Sequence, residues 1–328
     1  MENKTYYSVK NGRNLMKIGF EVFLMVCEEM SITRAARRLF ITQQAVSDHI
    51  RRLEEKYGIS LFQRKPDFHL TAEGEIMRSS LQQMKIMERN MERTLSFYSK
   101  GSMGNFTVGI STSRAPIILP QILPEFSREF PLVRVSFDEE DTQILEERLR
   151  QGNIDLFIGV NTTPDDNLEI HTIAYDEIML VVPENLLQQY FSPEQVNAMK
   201  GTADLRDFIK IPFVLPNFMT GKVSHVIQEY LASHHVQLNV QYNISDSETQ
   251  IDICSAGKCA AICPRMLLGY IDQNNRLAGK NVQLRVFSLK DIWEKLSIDL
   301  VIHKRVVYPP YVVRFMELVK EKIGTPMH

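Results

Sequence analysis

Cysteine is scarce in this sequence, and no apolar run is long enough to cross a membrane. Four cysteines in 328 residues do not make a disulfide framework, which excludes the class of small disulfide-stapled proteins. No stretch reaches the roughly 20 apolar residues that a membrane-spanning helix needs. The N-terminus also lacks the pattern of a secretory signal peptide. We therefore expect a cytoplasmic protein with no membrane partner.

The motifs that usually mark an enzyme are absent as well. The chain has no glycine-rich phosphate loop, no G-x-S-x-G motif and no zinc-type spacing of His and Cys. Cys259 is the only candidate nucleophile, and no recognisable base stands beside it in the sequence. We therefore predict that the chain is not an enzyme, and we expect neither a metal site nor a cofactor.

What the sequence does contain is an ordinary globular composition with unevenly distributed charge. A hydrophobic content of 44% and a charged content of 24% exclude wholesale disorder. Residues 31–65 hold eight Lys and Arg against three acids, whereas residues 101–328 hold 21 basic and 28 acidic residues. A basic segment of this kind suits the neutralisation of DNA phosphates. By charge alone, a solvated helix face is the more common explanation.

Residues 31–74 carry the spacing of a helix-turn-helix that is followed by a wing. Small and apolar residues fall at helical steps on two segments, 34–39 and 43–56. The adjacent alanines Ala35 and Ala36 allow two helix backbones to approach closely. Together with the basic charge, this pattern favours a DNA-binding domain over a merely solvated helix.

The ends of these helices and the wing supply the predicted contacts to DNA. Thr33 and Thr42 stand where N-caps belong, and Gly58 is placed to end the second helix. Arg64 and Lys65 lie on a short hairpin-like segment that would face the DNA backbone. The predicted DNA-binding residues are Thr33, Arg34, Thr42, Gln43, Gln44, Ser47, Asp48, Arg51, Arg52, Arg64 and Lys65.

Asp48 is the one acidic residue on this predicted DNA face. A carboxylate beside phosphates is unfavourable unless another group compensates its charge. It can accept a hydrogen bond from cytosine N4, or it can pair with Arg51 or Arg52 one helical turn on and orient that guanidinium. We favour orientation of an arginine.

A heptad repeat predicts that residues 72–100 form a dimerising helix. Met77, Met84, Met91 and Tyr98 recur every seven residues, a period that is typical of a coiled-coil seam. The alternative is an amphipathic helix packed on its own domain. We favour the dimer because a single winged module offers no other large surface to cover this stripe.

Strand and helix patterns alternate in the remainder of the chain and indicate a two-lobed α/β domain. Residues 101–104 are expected to form a hinge before it. The predicted divisions are a flexible extension over 1–15 (or a translation start at Met16), a DNA-binding domain over 16–74, a linker helix over 72–100, and a regulatory domain over 104–328 whose lobes cross near 160–165 and 264–290.

The stretch SITRAARRLFITQQAVSDHIRRLEEKYGISLFQRK…LTAEG resembles the N-terminal signature of the LysR-type transcriptional regulators. Shorter stretches match that family in order further along the chain: GNFTVGIS, LPQILPEFSREFPLVRVSF, LRQGNIDLFIG and CSAGKCAAICP. The resemblance extends over nearly all of residues 16–323. Gln44 stands where a proline is common in the family, and Asp48 where a basic or polar residue is more usual.

The resemblance implies both a fold and a set of partners. The implied fold is an all-α winged helix-turn-helix domain with a linker helix, followed by an α/β two-lobed, periplasmic-binding-protein-like effector domain. The implied partners are duplex DNA with an inverted-repeat operator, further copies of the chain as a homodimer or tetramer, and a small-molecule effector between the lobes. The transcription machinery is a further candidate partner.

The loop Ser111–Arg114 is the strongest candidate for the effector site. It follows a predicted strand and precedes a helix, so its hydroxyls, backbone N–H groups and arginine form a corner suited to an anion. In the resembled family this loop borders the effector pocket, although an ordinary helix cap would explain each hydroxyl. We expect a small anion or carboxylate as effector. The predicted effector-binding residues are Ser111, Thr112, Ser113, Arg114, Asn161, Asn217 and Thr220.

Two other functions remain open at this point. Cys254, Cys259 and Cys263 lie within ten residues and could form a redox-responsive switch, but free cysteines are often small buried hydrophobes. A non-specific architectural DNA-binding protein would also carry a basic segment, although the acidic remainder of the chain argues against it. A sequence-specific regulator with a small-molecule effector is the prediction that we favour.

Overall fold

The computed structural model describes residues 17–99, 103–217, 221–277, 282–291, 295–304 and 306–324. The chain divides into two compact units, the first ending at Arg89 and the second beginning at Asn90. The predicted extension over 1–15, the candidate start Met16 and the site residue Thr220 lie outside the described residues. In the part of the chain that is described, no helix is long and apolar enough to span a bilayer.

The first unit is a helix-turn-helix with a hairpin wing. Its elements are α1 (17–29), α2 (Ile32–Leu39), α3 (Gln43–Tyr57), β1 (Phe62–Gln63), β2 (His69–Leu70) and the start of α4 (Ala72–Ser99). Ala35 and Ala36 are buried between α2 and α3, beside Val46, Ile50 and Leu53. The two antiparallel strands form the predicted wing.

Two of the three helix ends predicted for the first unit are confirmed. The Thr42 hydroxyl accepts a hydrogen bond from Ala45 N at 3.1 Å, and Gly58 ends α3 with a positive φ of 66°. The prediction that Thr33 caps α2 is wrong. The helix begins at Ile32, and Ser31 is the cap because its hydroxyl accepts from Arg34 N at 3.3 Å.

The second unit contains two lobes, each built on its own sheet. The first lobe has the strand order β4-β3-β5-β13-β6. Its strands are β3 (Gly104–Ile110), β4 (Val133–Glu139), β5 (Leu156–Val160), β6 (Leu168–Asp176) and β13 (Leu296–His303), and its helices are α5 (Ala115–Glu129), α6 (Thr142–Arg150) and α12 (Pro310–Ile323). Strands β3, β4 and β5 are parallel, as the alternating pattern predicted.

The second lobe has the strand order β10-β9-β11-β7-β12-β8. Its strands are β7 (Ile178–Pro183), β8 (Thr202–Ala203), β9 (Pro212–Leu215), β10 (Asn239–Asn243), β11 (Ala260–Pro264) and β12 (Leu284–Leu289). Its helices are α7 (Glu184–Tyr190), α8 (Pro193–Ala198), α9 (Lys222–Ser233), α10 (Ser247–Ser255) and α11 (Leu268–Leu277). Each lobe has an apolar core of its own.

The chain crosses between the lobes at other positions than those predicted. β6 ends at Asp176 in the first sheet and β7 begins at Ile178 in the second, so the first crossing is at Glu177 rather than at 160–165. The error arose because β6 was not recognised as a strand of the first lobe. The second crossing follows Leu289, and most of the predicted stretch 264–290 stays within the second lobe.

The last turns of α4 pack on the first lobe. The guanidinium of Arg93 bonds to the carboxylate of Asp155, which also accepts from Thr107 N at 2.8 Å. The Phe97 ring lies 5.4 Å from the ring of Tyr311. The far end of the predicted hinge is fixed, because Gly104 belongs to β3 and a Cβ there would lie 2.5 Å from Tyr311; residues 101 and 102 lie outside the described chain.

Candidate functional site

Helix α3 presents a polar face opposite the apolar face that it packs into the core. Val46, Ile50 and Leu53 are buried at helical spacing, which turns the intervening residues outward. The outward set is Gln43, Gln44, Arg51 and Arg52, which are exposed, with Ser47 and Asp48 half-buried between them. Amide and guanidinium groups of this kind can bond to base edges and phosphates.

Asp48 pairs with Arg51 and not with Arg52. The Arg51 Nη2 atom lies 3.2 Å from Asp48 Oδ1, and its Nε atom lies 3.8 Å from Glu55 Oε1. Within the described residues, Arg52 has no ion-pair partner. The geometry therefore agrees with the hypothesis that Asp48 orients an arginine on the DNA face, and it selects Arg51 as that arginine.

The remaining predicted DNA contacts lie at the wing and at the start of α2. Arg64 and Lys65 are exposed between β1 and β2, where they can reach phosphates. Arg34 is held by Glu29 of the preceding helix, with Nε 3.4 Å from the carboxylate. Thr33 lies half-buried inside the first turn of α2. Arg34 stays exposed on α2 despite this ion pair, so of these two residues only Thr33 is partly withdrawn from the surface.

A second candidate site lies in a cleft of the second unit. The cleft has an empty volume of about 740 Å³, part of it open to solvent, and residues of both lobes line it. The predicted loop Ser111–Arg114 and Asn217 are among the lining residues, so the structure brings them together from opposite lobes. The other lining residues are Asp141, Thr142, Val160, Pro216, Gly221, Lys222, Val223, Ser224, Ser245, Ser247, Gln250, Ile262 and Pro264.

Arg114 is the buried cation of this cleft, with only 1% of its surface exposed. Its guanidinium lies 3.3 Å from the Ser113 hydroxyl and 3.4 Å from the carboxylate of Asp176. Its Nε atom has no hydrogen-bond partner among the described residues. Burial lowers the pKa of Arg114 to about 10 against the opposing effect of Asp176, so the group stays charged near neutral pH.

Asn161 was predicted as an effector contact, and the structure places it beside the lining residue Val160 with its side-chain oxygen engaged within the first lobe. It does not line the cleft. Its side-chain oxygen accepts hydrogen bonds from the Ser297 backbone N–H at 2.8 Å and from the Ser297 hydroxyl at 3.3 Å. These two hydrogen bonds join the end of β5 to the start of β13 inside the first lobe.

Several lining residues were missed from the sequence, and Lys222 is the clearest example. Its Nζ atom lies 2.9 Å from Thr163 Oγ1 and 3.9 Å from Glu146 Oε1, so it links the second lobe to the first. Sequence patterns had not identified α9, which Lys222 begins. The next helix along the chain, α10, is capped by Asp246, whose carboxylate accepts a hydrogen bond from Thr249 N at 2.8 Å.

The three clustered cysteines are poorly suited to redox chemistry. Cys254, Cys259 and Cys263 are free and buried. Burial raises the pKa of all three thiols, that of Cys263 to about 12. Since the thiolate is the reactive form, these surroundings suppress its reaction with oxidants. Across the described part of the chain, no group of three or more His, Cys, Asp or Glu side chains could hold a metal ion.

Comparison with known families decides the class of the protein. The LysR substrate binding domain matches residues 99–324, and the bacterial regulatory helix-turn-helix protein, lysR family, matches residues 19–75. This chain belongs to the LysR family. The family is one of DNA-binding transcriptional regulators with a substrate-binding effector domain, and the two matches coincide with the winged domain and the two lobes described above.

Curated relatives of this LysR-family protein are themselves transcriptional regulators. It is 32% identical over 169 residues to the HTH-type transcriptional regulator AlsR of Bacillus subtilis, covering 50% of this chain and 55% of AlsR. It is 27% identical over 164 residues to a probable RuBisCO transcriptional regulator of Trieres chinensis, covering 49% of this chain and 53% of that protein. The chain thus spans about half the length of these relatives.

Solved structures share the fold over more than nine-tenths of this LysR-family protein. Full-length CbnR in complex with its target DNA matches with a TM-score of 0.52 and 19% identity, covering 93% of this chain and 98% of CbnR. Full-length BenM matches with a TM-score of 0.52 and 21% identity, covering 92% of this chain and 95% of BenM. At these identities the likeness establishes the fold alone.

Proposed function

We propose that this LysR-family protein binds a specific duplex DNA sequence and regulates transcription in response to a small molecule in its cleft. The observation that carries the proposal is the polar face of α3. Gln43, Gln44 and Arg51 are exposed there on a helix whose other face is buried. The wing residues Arg64 and Lys65 add exposed positive charge suited to the phosphates on either side of a groove.

The effector of the proposed regulator carries an anionic group. The loop Ser111–Arg114 ends β3 and leads into α5, so it supplies a helix N-terminus, hydroxyls and a buried guanidinium. Helix N-termini and arginines both favour anions, carboxylates among them. Tight binding of an effector that lacks any anionic group, measured by isothermal titration, would contradict this assignment.

The DNA-bound form is a homodimer that pairs through α4, and two dimers assemble into a tetramer. Large apolar side chains of α4 are exposed over its length: Ile76, Met84, Met87, Met91, Leu95 and Tyr98. An exposed apolar stripe on one helix is a usual sign of an interface, and its seven-residue spacing suits a second copy of the same helix. A dimer then presents two copies of α3 to successive major grooves.

Selection of bound duplexes from a random pool, run with purified full-length protein at two salt concentrations, tests the proposal. We expect enrichment of an inverted repeat whose half-sites are about one helical turn apart, near 10 base pairs. Binding that remains unselective and disappears at the higher salt concentration would be purely electrostatic. That outcome would contradict the proposal and support an architectural role instead.

A further inference from the structure

Three residues that line the cleft between the lobes each carry a buried polar atom without a hydrogen-bond partner among the described residues. The atoms are the hydroxyl oxygen of Ser111, Nε of Arg114 and Oε1 of Gln250. Arg114 and Gln250 are each only 1% exposed, and Ser111 is 7% exposed. An unpaired buried polar atom is costly in free energy. Three such atoms around one cleft therefore indicate a ligand that pairs with them.

The three atoms differ in whether they donate or accept hydrogen bonds, and this difference follows the lobe to which each belongs. Arg114 Nε can only donate a hydrogen bond, and the Ser111 hydroxyl beside it can donate too. Across the cleft, the amide nitrogen of Gln250 donates to the carbonyl of Ile244. That bond leaves the Gln250 oxygen as an acceptor. The first lobe thus offers donors, and the second lobe offers an acceptor.

The charges that line the cleft do not suit a simple anion. Arg114 is paired with Asp176, and Lys222 lies 3.9 Å from Glu146. Asp141 also lines the cleft, and its carboxylate has no ion-pair or hydrogen-bond partner among the described residues. Asp141 is exposed in the free protein, so water solvates its charge. A ligand with negative charge alone that covers Asp141 would exclude this water and bring two negative charges together, at a cost that grows as the site is desolvated.

Asp141 stands close to the anion corner. Ser111 and Asp141 follow the carboxyl ends of β3 and β4, which are adjacent parallel strands with Ile110 paired to Glu139. Neighbouring strands lie about 4.8 Å apart, so one small molecule can reach both groups. Gly221 of the second lobe lies close to the same carboxylate. A Cβ atom added at Gly221 would be 3.5 Å from Asp141 Oδ1.

We infer that the effector is a small zwitterion of the amino-acid type. Its anionic group pairs with Ser111 and Arg114, and its ammonium group pairs with Asp141 and Gln250. The inference rests on the proposed function of the cleft and narrows its ligand class. The ammonium compensates the unpaired carboxylate and occupies the unpaired acceptor, which an anion alone cannot do.

Isothermal titration of the full-length protein with three matched series of probes tests the inference. The series are the standard L-amino acids, the carboxylic acids that lack only the amino group, and the amines that lack only the carboxylate. We expect at least one amino acid to bind, and both of its partial analogues to bind at least about tenfold more weakly.

Replacement of Asp141 tests whether the ligand's ammonium group accounts for the tighter binding of the amino acid. Asp141 is an exposed residue, so Asp141→Asn leaves the core intact. We expect this variant to weaken the binding of the amino acid about 10- to 100-fold, as befits the loss of a charged hydrogen bond. The carboxylic acid should bind the variant more tightly than it binds the wild type, because the repulsion between two carboxylates is removed. Asp166→Asn, at another exposed site of the first lobe, is the control and should bind like the wild type.

The other outcomes overturn the inference in distinguishable ways. An amino acid and its carboxylic acid could bind with equal affinity, and Asp141→Asn could leave both affinities unchanged. This result would refute the zwitterionic effector, but it would still agree with the anionic effector of the proposed function. Binding of amines alone, or of no probe in any series, would refute the zwitterion together with the anionic effector of the proposed function. The DNA-binding part of that function is measured separately by the duplex selection.

Discussion

The guanidinium of Arg114 lies 3.4 Å from the carboxylate of Asp176, and both side chains are almost fully buried. The second oxygen of Asp176 accepts hydrogen bonds from the backbone N–H groups of Glu177 and Met266, at 2.9 Å and 3.2 Å. Glu177 is the residue at which the chain passes between the lobes. A single carboxylate thus connects the effector corner to a crossover segment.

Asp176→Asn should destabilise the protein, because it leaves the buried charge of Arg114 without a partner. Breaking a buried ion pair by removing one member costs about 3–5 kcal/mol, and asparagine keeps an oxygen for the two backbone N–H groups. Urea unfolding measures the change. Glu169→Gln, at an exposed glutamate of the same strand, is the control, and a loss no larger than the control's would contradict the role of the pair.

Arg51→Ala and Arg64→Ala should each reduce DNA affinity while the fold stays intact. Both arginines are exposed on the proposed DNA face. Each phosphate contact that is lost should reduce the slope of the logarithm of the binding constant against the logarithm of the salt concentration by about one unit. Fluorescence anisotropy over a salt series gives both quantities, with circular dichroism as the check of folding. Arg128→Ala, on an exposed face of α5, should match the wild type. Unchanged affinity in both DNA-face variants would show that DNA binds elsewhere.

Asp48→Asn should weaken DNA binding broadly rather than at one base pair. The carboxylate holds Arg51 at 3.2 Å, and an amide would leave that guanidinium less firmly oriented. A base-by-base substitution scan of the selected operator, made with the wild type and the variant, distinguishes the two roles. A loss confined to a single G·C position would instead indicate that Asp48 accepts a hydrogen bond from cytosine.

Met84→Glu and Met91→Glu should each shift the protein from dimer to monomer. Their side chains are 60% and 56% exposed on α4, and a carboxylate on a paired apolar seam is placed against its own copy. Sedimentation velocity over a range of protein concentrations measures the shift. Lys85→Glu adds an acid at an exposed polar position of the same helix and should leave the dimer unchanged. Dimers that survive both seam substitutions would exclude α4 as the interface.

His303 should make the protein less stable as the pH falls below 6.5. Burial lowers the pKa of His303 from that ordinary value, so the unfolded chain binds a proton more readily than the folded chain does. The contribution of His303 to the free energy of unfolding is fully present above pH 6.5. It is lost as the pH falls towards the lowered pKa. Thermal unfolding across this range should show a smaller pH dependence in His303→Gln than in the wild type, while the exposed control His225→Gln should not differ.

Local signals in the sequence were sufficient for helix α3 of the DNA-binding domain. Thr42, the apolar spacing of Val46 and Ile50, and Gly58 determine where α3 begins, which face it buries and where it ends. All of these interactions join residues within one or two turns. The pairing of Asp48 with Arg51 is equally local, because residues three apart share one face of a helix.

The cleft could be predicted only in part, because its walls come from distant segments. Ser111 and Arg114 follow a recognisable strand, whereas Lys222 begins a helix that the patterns did not identify. β6 was missed for a related reason. It is the edge strand of its sheet, and only its first and last residues are buried. It is held in place by β13, more than 100 residues further along the chain.

The contact between Arg93 and Asp155 has a practical consequence for isolating the regulatory unit. The Asp155 side chain is only 4% exposed, and Arg93 belongs to α4, several residues before the family match to the substrate binding domain begins at residue 99. A fragment cut at that boundary would expose the Tyr311 ring and leave a buried carboxylate without its cation. A fragment for ligand screening should therefore begin within the helix, near Asn90, where the second compact unit begins.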